Sequence, residues 1–102
     1  MAYEIIWSEE AIEDINSIAE YLERDSFQYA CSVVEKLYNA PIKLTDHPKA
    51  GKIVEELTDE LIREITVYPY RLIYKIENMS VQIAAIIHGA RNFEPVIKKR
   101  VI

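Results

Sequence analysis

Arg63-Glu-Ile-Thr-Val-Tyr-Pro-Tyr-Arg-Leu-Ile-Tyr-Lys-Ile76, followed by Ile86-Ile-His-Gly-Ala-Arg91, is the stretch that decides the fold. Leu61 to Val67 and Tyr70 to Ile76 are rich in β-branched and aromatic residues. The Tyr-Pro pair between them predicts a tight turn joining two strands. In the second run Tyr70, Leu72, Tyr74 and Ile76 alternate with Arg71, Ile73 and Lys75, giving one aromatic and aliphatic face and one partly cationic face. Glu77-Asn-Met-Ser80 has the composition of a hairpin turn. Val81 to Ile87 is then a third strand, too apolar for an exposed edge and so expected to be central.

Working outward, Tyr3 to Trp7 is a short extended run. Ser8 is placed to cap a helix, with Glu9 and Glu10 in its first turn, where the helix dipole favours negative charge. Ala11, Ile12, Ile15, Ile18, Ala19 and Leu22 recur at helical spacing as far as Arg24-Asp25. Ser26 is a second cap, ahead of an apolar face made by Ala30, Val33, Val34, Leu37 and Tyr38. Pro41 predicts a kink or break. Ile42 and Leu44 extend the buried stripe as far as His47-Pro48. Helices joined this closely pack as an antiparallel hairpin. Lys49-Ala-Gly51 reads as a loop, with Gly51 expected to adopt a backbone angle that other residues avoid. A short strand is expected at Lys52 to Val54, and a helix or tail over 92–102. The fold class is therefore α+β in one domain: an N-terminal strand and a helical hairpin packed on a three- to four-stranded antiparallel sheet.

Half of the 102 residues are hydrophobic, enough for a core without staples. The net charge of −5 argues against a surface coated for nucleic-acid binding. The charge is unevenly placed: residues 1–60 carry 14 acidic and 5 basic side chains, and residues 61–102 carry 3 and 7. A solvated acidic helical face and two faces with different partners both account for this asymmetry. Cys31 is alone, excluding an intrachain disulfide and a thiolate cluster, and its helical position predicts a small core hydrophobe. The start lacks the pattern of a signal peptide, and no run spans a bilayer. A reducing cytoplasm is the expected location.

His47 and His88 are the only histidines and lie in different elements, so no metal site is expected. Two glycines give no phosphate loop. The remaining constellation is Arg63, Arg71, His88 and Arg91, which neighbouring strands can bring to one face. Arginines clamp phosphate and a histidine moves protons near neutral pH, the equipment for cleaving RNA through its 2′-hydroxyl. The competing reading gives the arginines to acidic partners within the fold and His88 to a strand end. Tyr68, Tyr70 and Tyr74 can stack on bases or fill the core.

The chain resembles toxins of the RelE/ParE superfamily from type II toxin–antitoxin systems. The matching pieces run in order: Ile6-Trp7-Ser8-x-x-Ala11 with Asp14 and Ile15; Ile18-Ala-x-Tyr21-Leu22; Ala30 and Leu37; Ile42-x-Leu44-x-x-x-Pro48-x-x-Gly51; Arg63-Glu64; Pro69-Tyr70-Arg71-Leu72-Ile73-Tyr74; and Ile87-His88-Gly89-x-Arg91. The Trp-Ser-x-x-Ala opening, the long helical hairpin and the His-Gly-x-Arg ending are more similar to the ParE branch. That resemblance implies a plasmid-stabilization type of toxin that poisons DNA gyrase by binding it, with no cofactor.

RelE-like relatives cut messenger RNA on the ribosome, with basic residues and a C-terminal tyrosine. Here no tyrosine follows Arg91, the tail aromatic is Phe93, and Glu55, Glu56, Asp59 and Glu60 stand where a ribonuclease would want lysines. As a ribonuclease the chain would have to use Arg63, Arg71, His88 and Arg91. A non-toxic relic that only binds antitoxin is the third reading. The resemblance further implies a cognate antitoxin encoded nearby, and a homodimer or a heterotetramer with it. The partner-binding residues so implied are Arg63, Tyr70, Arg71, Arg91, Phe93, Val96 and Ile97, with an acidic antitoxin tail fitting the arginines.

Overall fold

The structure is a computed structural model that describes residues 2–89, 93 and 95–101. The element order is β1 (Glu4–Trp7), α1 (Glu9–Glu23), α2 (Phe27–Asn39), two 3-10 helices (Ala40–Thr45 and Pro48–Ala50), β2 (Lys52–Ile53), β3 (Ile62–Val67), β4 (Tyr70–Glu77), β5 (Ser80–His88) and α3 (Pro95–Val101).

Local chemistry sets the helix limits. The Ser8 hydroxyl accepts the Ala11 N–H at 3.0 Å and the Ser26 hydroxyl accepts the Tyr29 N–H at 3.1 Å, so both expected caps form. Ala11 and Ile15 bury one face of α1, and Ala30, Val33 and Leu37 bury one face of α2. Pro41 has no N–H to continue the α ladder, and the chain tightens into a 3-10 turn that still buries Pro41 and Leu44.

The sheet differs in detail from the expectation. It has five strands in the order β1-β5-β4-β3-β2, and β1 joins it as an edge strand parallel to β5. The chain that joins these two strands includes the helical hairpin and β2, β3 and β4, ample length for the crossover a parallel partner needs. The other pairings are antiparallel. β5 is central over its first half, as its apolar run predicts.

The register of β4 on β5 slips between Ile73 and Tyr74, which pair with Ala85 and Ile83, so Ala84 is an extra residue. The slip hands alternate β5 side chains to two cores. Val81, Ile83 and Ile86 join Leu72, Tyr74 and Ile76 under the helical hairpin. Ala84 and Ala85 join Ile62, Ile73, Ile97 and Val101 on the opposite face, beneath α3. Beyond Trp7, no strand among the described residues flanks β5 on the β1 side. There the Asp14 carboxylate accepts the Ile86 N–H at 3.0 Å and an Arg100 N–H at 2.8 Å, tying α1, β5 and α3 together.

Two further expectations are corrected. Cys31 is exposed on α2, because the buried stripe runs through Ala30, Val33 and Leu37. Gly51 has an ordinary φ of −73°. Its requirement is for space, since a Cβ there would lie 2.6 Å from the Glu64 carbonyl oxygen and 2.6 Å from the Tyr74 hydroxyl.

Candidate functional site

Strand alternation separates two of the four expected cations. Arg63 shares its face of β3 with Ile65 and Val67, which pack under the helical hairpin. Arg71 shares its face of β4 with Ile73, on the opposite side of the sheet. A single cluster containing both arginines is therefore not formed. Arg63 is committed to backbone: it donates to the carbonyls of Glu60 at 2.8 Å, Gly51 at 2.9 Å and Lys49 at 3.3 Å. It clamps the loop ahead of β2 to the start of β3.

Arg71 is held by two carboxylates. Its Nε donates to both oxygens of Glu64, at 3.1 and 3.2 Å, and its Nη2 donates to Glu64 Oε2 at 2.5 Å. The other edge of the guanidinium donates to Glu56, Nη1 to Oε2 and Nη2 to Oε1, each at 3.0 Å. Glu64 lies diagonally across the ladder from Arg71, on the neighbouring strand, and its side chain is only 4% exposed. Glu56 reaches in from the β2–β3 loop and is 38% exposed. The hydrogen bonds from Arg71 hold the Glu56 carboxyl below its ordinary pKa. Hydrogen bonds to Glu56 and then Glu64 raise that of Arg71, outweighing desolvation. The Phe93 ring centroid lies 5.8 Å from the guanidinium carbon, within cation–π range.

Beside this ion-pair group opens a cleft of about 390 Å³, lined by Lys52, Glu56, Glu64, Tyr70, Arg71 and His88 among others. Tyr70 and His88 are directly paired across β4 and β5, and their rings meet edge to face at 5.8 Å. Tyr70 is buried, and burial raises its hydroxyl pKa, with Tyr29 and Tyr21 adding to the effect. Tyr74 is also core, whereas Tyr68 is 91% exposed at the cleft's rim. Among the described residues, no three His, Cys, Asp or Glu side chains group to hold a metal ion. Among them, too, no helix is long and apolar enough to cross a membrane.

The expectation that Val96 and Ile97 face a partner is corrected in part. Ile97 is 4% exposed and Val101 is buried, because α3 lays both against Ile62, Ile73 and the β5 alanines. Arg91, Ile102 and the side chain of Val96 lie outside the described residues. Glu56, Glu64 and Lys52 are residues that the sequence reading did not assign to the site. The available signal was Glu64 itself. It is a carboxylate on the same strand face as Ile62, and a buried carboxylate requires a cation, which Arg71 supplies from the next strand.

What this arrangement does chemically is hold one strong cation, already compensated, at the wall of an open cleft.

A family model described as the ParE toxin of the type II toxin–antitoxin system parDE matches residues 5–93. Among solved structures, the chain is similar to the chromosomal ParDE toxin–antitoxin system of P. aeruginosa, with a TM-score of 0.71, 17% identity, and 85% of this chain and 96% of that chain covered. It is similar to a mutant of the E. coli toxin RelE in the free state, with a TM-score of 0.65, 18% identity, and 99% and 95% covered. It is also similar to the toxin–antitoxin complex RelBE2 from Mycobacterium tuberculosis, with a TM-score of 0.58, 20% identity, and 86% and 99% covered. No curated protein matches.

Proposed function

The chain belongs to the ParE toxin family of type II toxin–antitoxin systems, and from that premise we propose that its target is DNA gyrase, which it inhibits by binding. In this reading the toxin traps the enzyme on cleaved DNA in the cytoplasm, and a cognate antitoxin neutralises it. The observation that supports binding over RNA cleavage is the state of the arginines. Arg71 is shared between Glu64 and Glu56, and Arg63 is turned to the other face to hold three carbonyls. A phosphoryl-transfer site needs cations free to meet developing charge. Arg91, Tyr70, which lines the cleft, and Phe93, over the Arg71 guanidinium, are the gyrase- and antitoxin-facing residues of this proposal.

The test is a gyrase supercoiling and cleavage assay with purified, antitoxin-free protein. Loss of supercoiling with accumulation of cleaved DNA is the expected result. Unaffected gyrase, with codon-phased cuts in messenger RNA after induction in cells, would transfer the activity to the ribosome. Unaffected gyrase with intact transcripts and normal growth would leave a protein that only binds antitoxin.

A further inference from the structure

The two carboxylates on Arg71 are not equivalent. Glu64 belongs to a paired strand and is buried with its charge matched. Releasing it would strand an uncompensated carboxylate inside the fold. Glu56 stands on a turn whose backbone is fixed independently of Arg71. The N–H groups of Leu57 and Thr58 both donate to the carbonyl of Val54, at 3.1 Å each, and Val54 is fully buried. Rotating the Glu56 side chain therefore releases one edge of Arg71 without moving the chain, and sends a carboxylate into water, where it is stable.

We propose that Glu56 is a built-in stand-in for an external carboxylate, and that the Arg71 edge it covers is the docking point for an acidic side chain on an extended segment of the antitoxin. The occupant rests on the toxin–antitoxin reading above; the exchange at Arg71 rests on geometry alone. A docking carboxylate makes the same two charge-assisted bonds that Glu56 makes, so the swap itself is nearly neutral. What decides it is the rest of the contact, along the cleft past Tyr68, Pro69 and Tyr70. Glu56 thus rejects anions that bring only charge and admits a segment that also brings apolar groups. The cleft's own charge selects a carboxylate over a phosphate backbone. Glu55, Glu56 and Glu64 line it against Lys52 and Arg71, which opposes a polyanion with one charge per residue more than a segment with a carboxylate at every second residue.

The experiment titrates the full chain with two probes of similar length: an acetylated, amidated peptide of alternating valine and glutamate, six residues long, and a hexathymidylate. The Arg71 Nε–H resonance is followed by NMR in the wild type and in Glu56→Gln, and binding to Arg71→Lys is followed by the backbone amide resonances of the cleft. Thermal melting checks that each variant is folded. The expected result is peptide binding tighter in Glu56→Gln than in the wild type, roughly two- to fivefold as befits an exposed ion pair. That binding is weaker for hexathymidylate and lost in Arg71→Lys. Equal peptide affinity in wild type and Glu56→Gln overturns the proposal. So does an unmoved Arg71 resonance with both probes, or a preference of Glu56→Gln for hexathymidylate, which would make the occupant a nucleic acid. None of these readouts involves gyrase. A chain that fails the supercoiling assay but shows the exchange keeps the Arg71 site and loses the gyrase reading.

Discussion

The hydroxyl of Tyr74 accepts the Gly51 N–H at 3.0 Å and donates to the Pro48 carbonyl at 2.6 Å, so one buried phenol closes the loop that leads into β2. That loop delivers Lys52, and a few residues later Glu56, to the cleft. Tyr74→Phe keeps the ring and removes both bonds, leaving the buried Gly51 N–H without its acceptor. The expected loss of stability is about 1–3 kcal/mol, the usual cost of an unsatisfied buried donor or acceptor. Urea unfolding should show a lower midpoint with an unchanged slope. A midpoint equal to the wild type's would mean that the phenol does not hold the loop.

Gly51→Ala is expected to be at least as damaging, for a steric reason. The added methyl would sit 2.6 Å from the Glu64 backbone oxygen and 2.6 Å from the Tyr74 hydroxyl. The first neighbour is part of a paired strand and cannot yield without moving β3, so a cost of about 1–3 kcal/mol is expected. Adding Tyr74→Phe removes only the second clash, so the double variant should remain less stable than Tyr74→Phe alone. Recovery to the Tyr74→Phe level would show that the strand moves freely.

Both residues belong to a part of the chain where the sequence could be read only halfway. The strands, the two serine caps and the Pro41 break were legible because each follows from local chemistry: alternation, a side-chain oxygen before a helix, a missing N–H. The parallel placement of β1 was not, since nothing within Tyr3 to Trp7 names its partner strand. The side of the sheet taken by each arginine was legible in principle. Arg63 and Arg71 are eight residues apart, but the two-residue turn at Tyr68-Pro69 and the antiparallel register place Arg63 opposite Tyr74 and Thr66 opposite Arg71. The hairpin register therefore fixes opposite faces. Glu56 was illegible because its role depends on a loop path set by long-range contacts. Gly51 was misread because a close approach and an unusual φ both call for glycine, and the sequence alone does not separate them.

Glu64 and Glu56 should separate cleanly when each is changed to glutamine. Glu64 is 4% exposed and Arg71 15% exposed, so Glu64→Gln leaves a largely buried guanidinium with one exposed counter-charge. A loss of about 3 kcal/mol is expected, the low end for breaking a buried pair because Glu56 remains. Glu56→Gln should cost under about 1 kcal/mol, and less still in high salt. Chemical denaturation at two salt concentrations measures both. Equal costs would mean that the two carboxylates are interchangeable supports.

Arg91→Ala tests the gyrase proposal in cells. Arg91 closes the His-Gly-x-Arg ending and stands two residues after Gly89, which lines the cleft with His88. On the proposed reading, the substitution should relieve growth arrest while the protein stays folded and still binds its antitoxin. The paired measurements are colony formation on induction and co-purification with the antitoxin. Undiminished arrest would remove Arg91 from the target-facing surface, and loss of antitoxin binding alone would reassign it to that partner.

The dependence of stability on pH should have two limbs of different origin. At the acid end, Glu56 has a folded pKa lowered chiefly by its hydrogen bonds to Arg71. Its contribution is therefore complete above the unfolded value, about 4.3, and is lost as pH falls through the folded one. It is small because the group is partly exposed. At the alkaline end, burial raises the hydroxyls of Tyr70 and Tyr74, with the Gly51 hydrogen bond and then Arg63 opposing the shift at Tyr74. A raised tyrosine keeps its proton in the folded state after the unfolded chain has begun to lose its own. The contribution is thus complete below about 10 and declines as pH rises through the folded values. Tyr74→Phe should be less stable than wild type at neutral pH yet show a shallower alkaline decline, because one of the two linked protons is gone. Urea midpoints across the range test this, and an alkaline limb of unchanged steepness in Tyr74→Phe would assign the linkage to other groups.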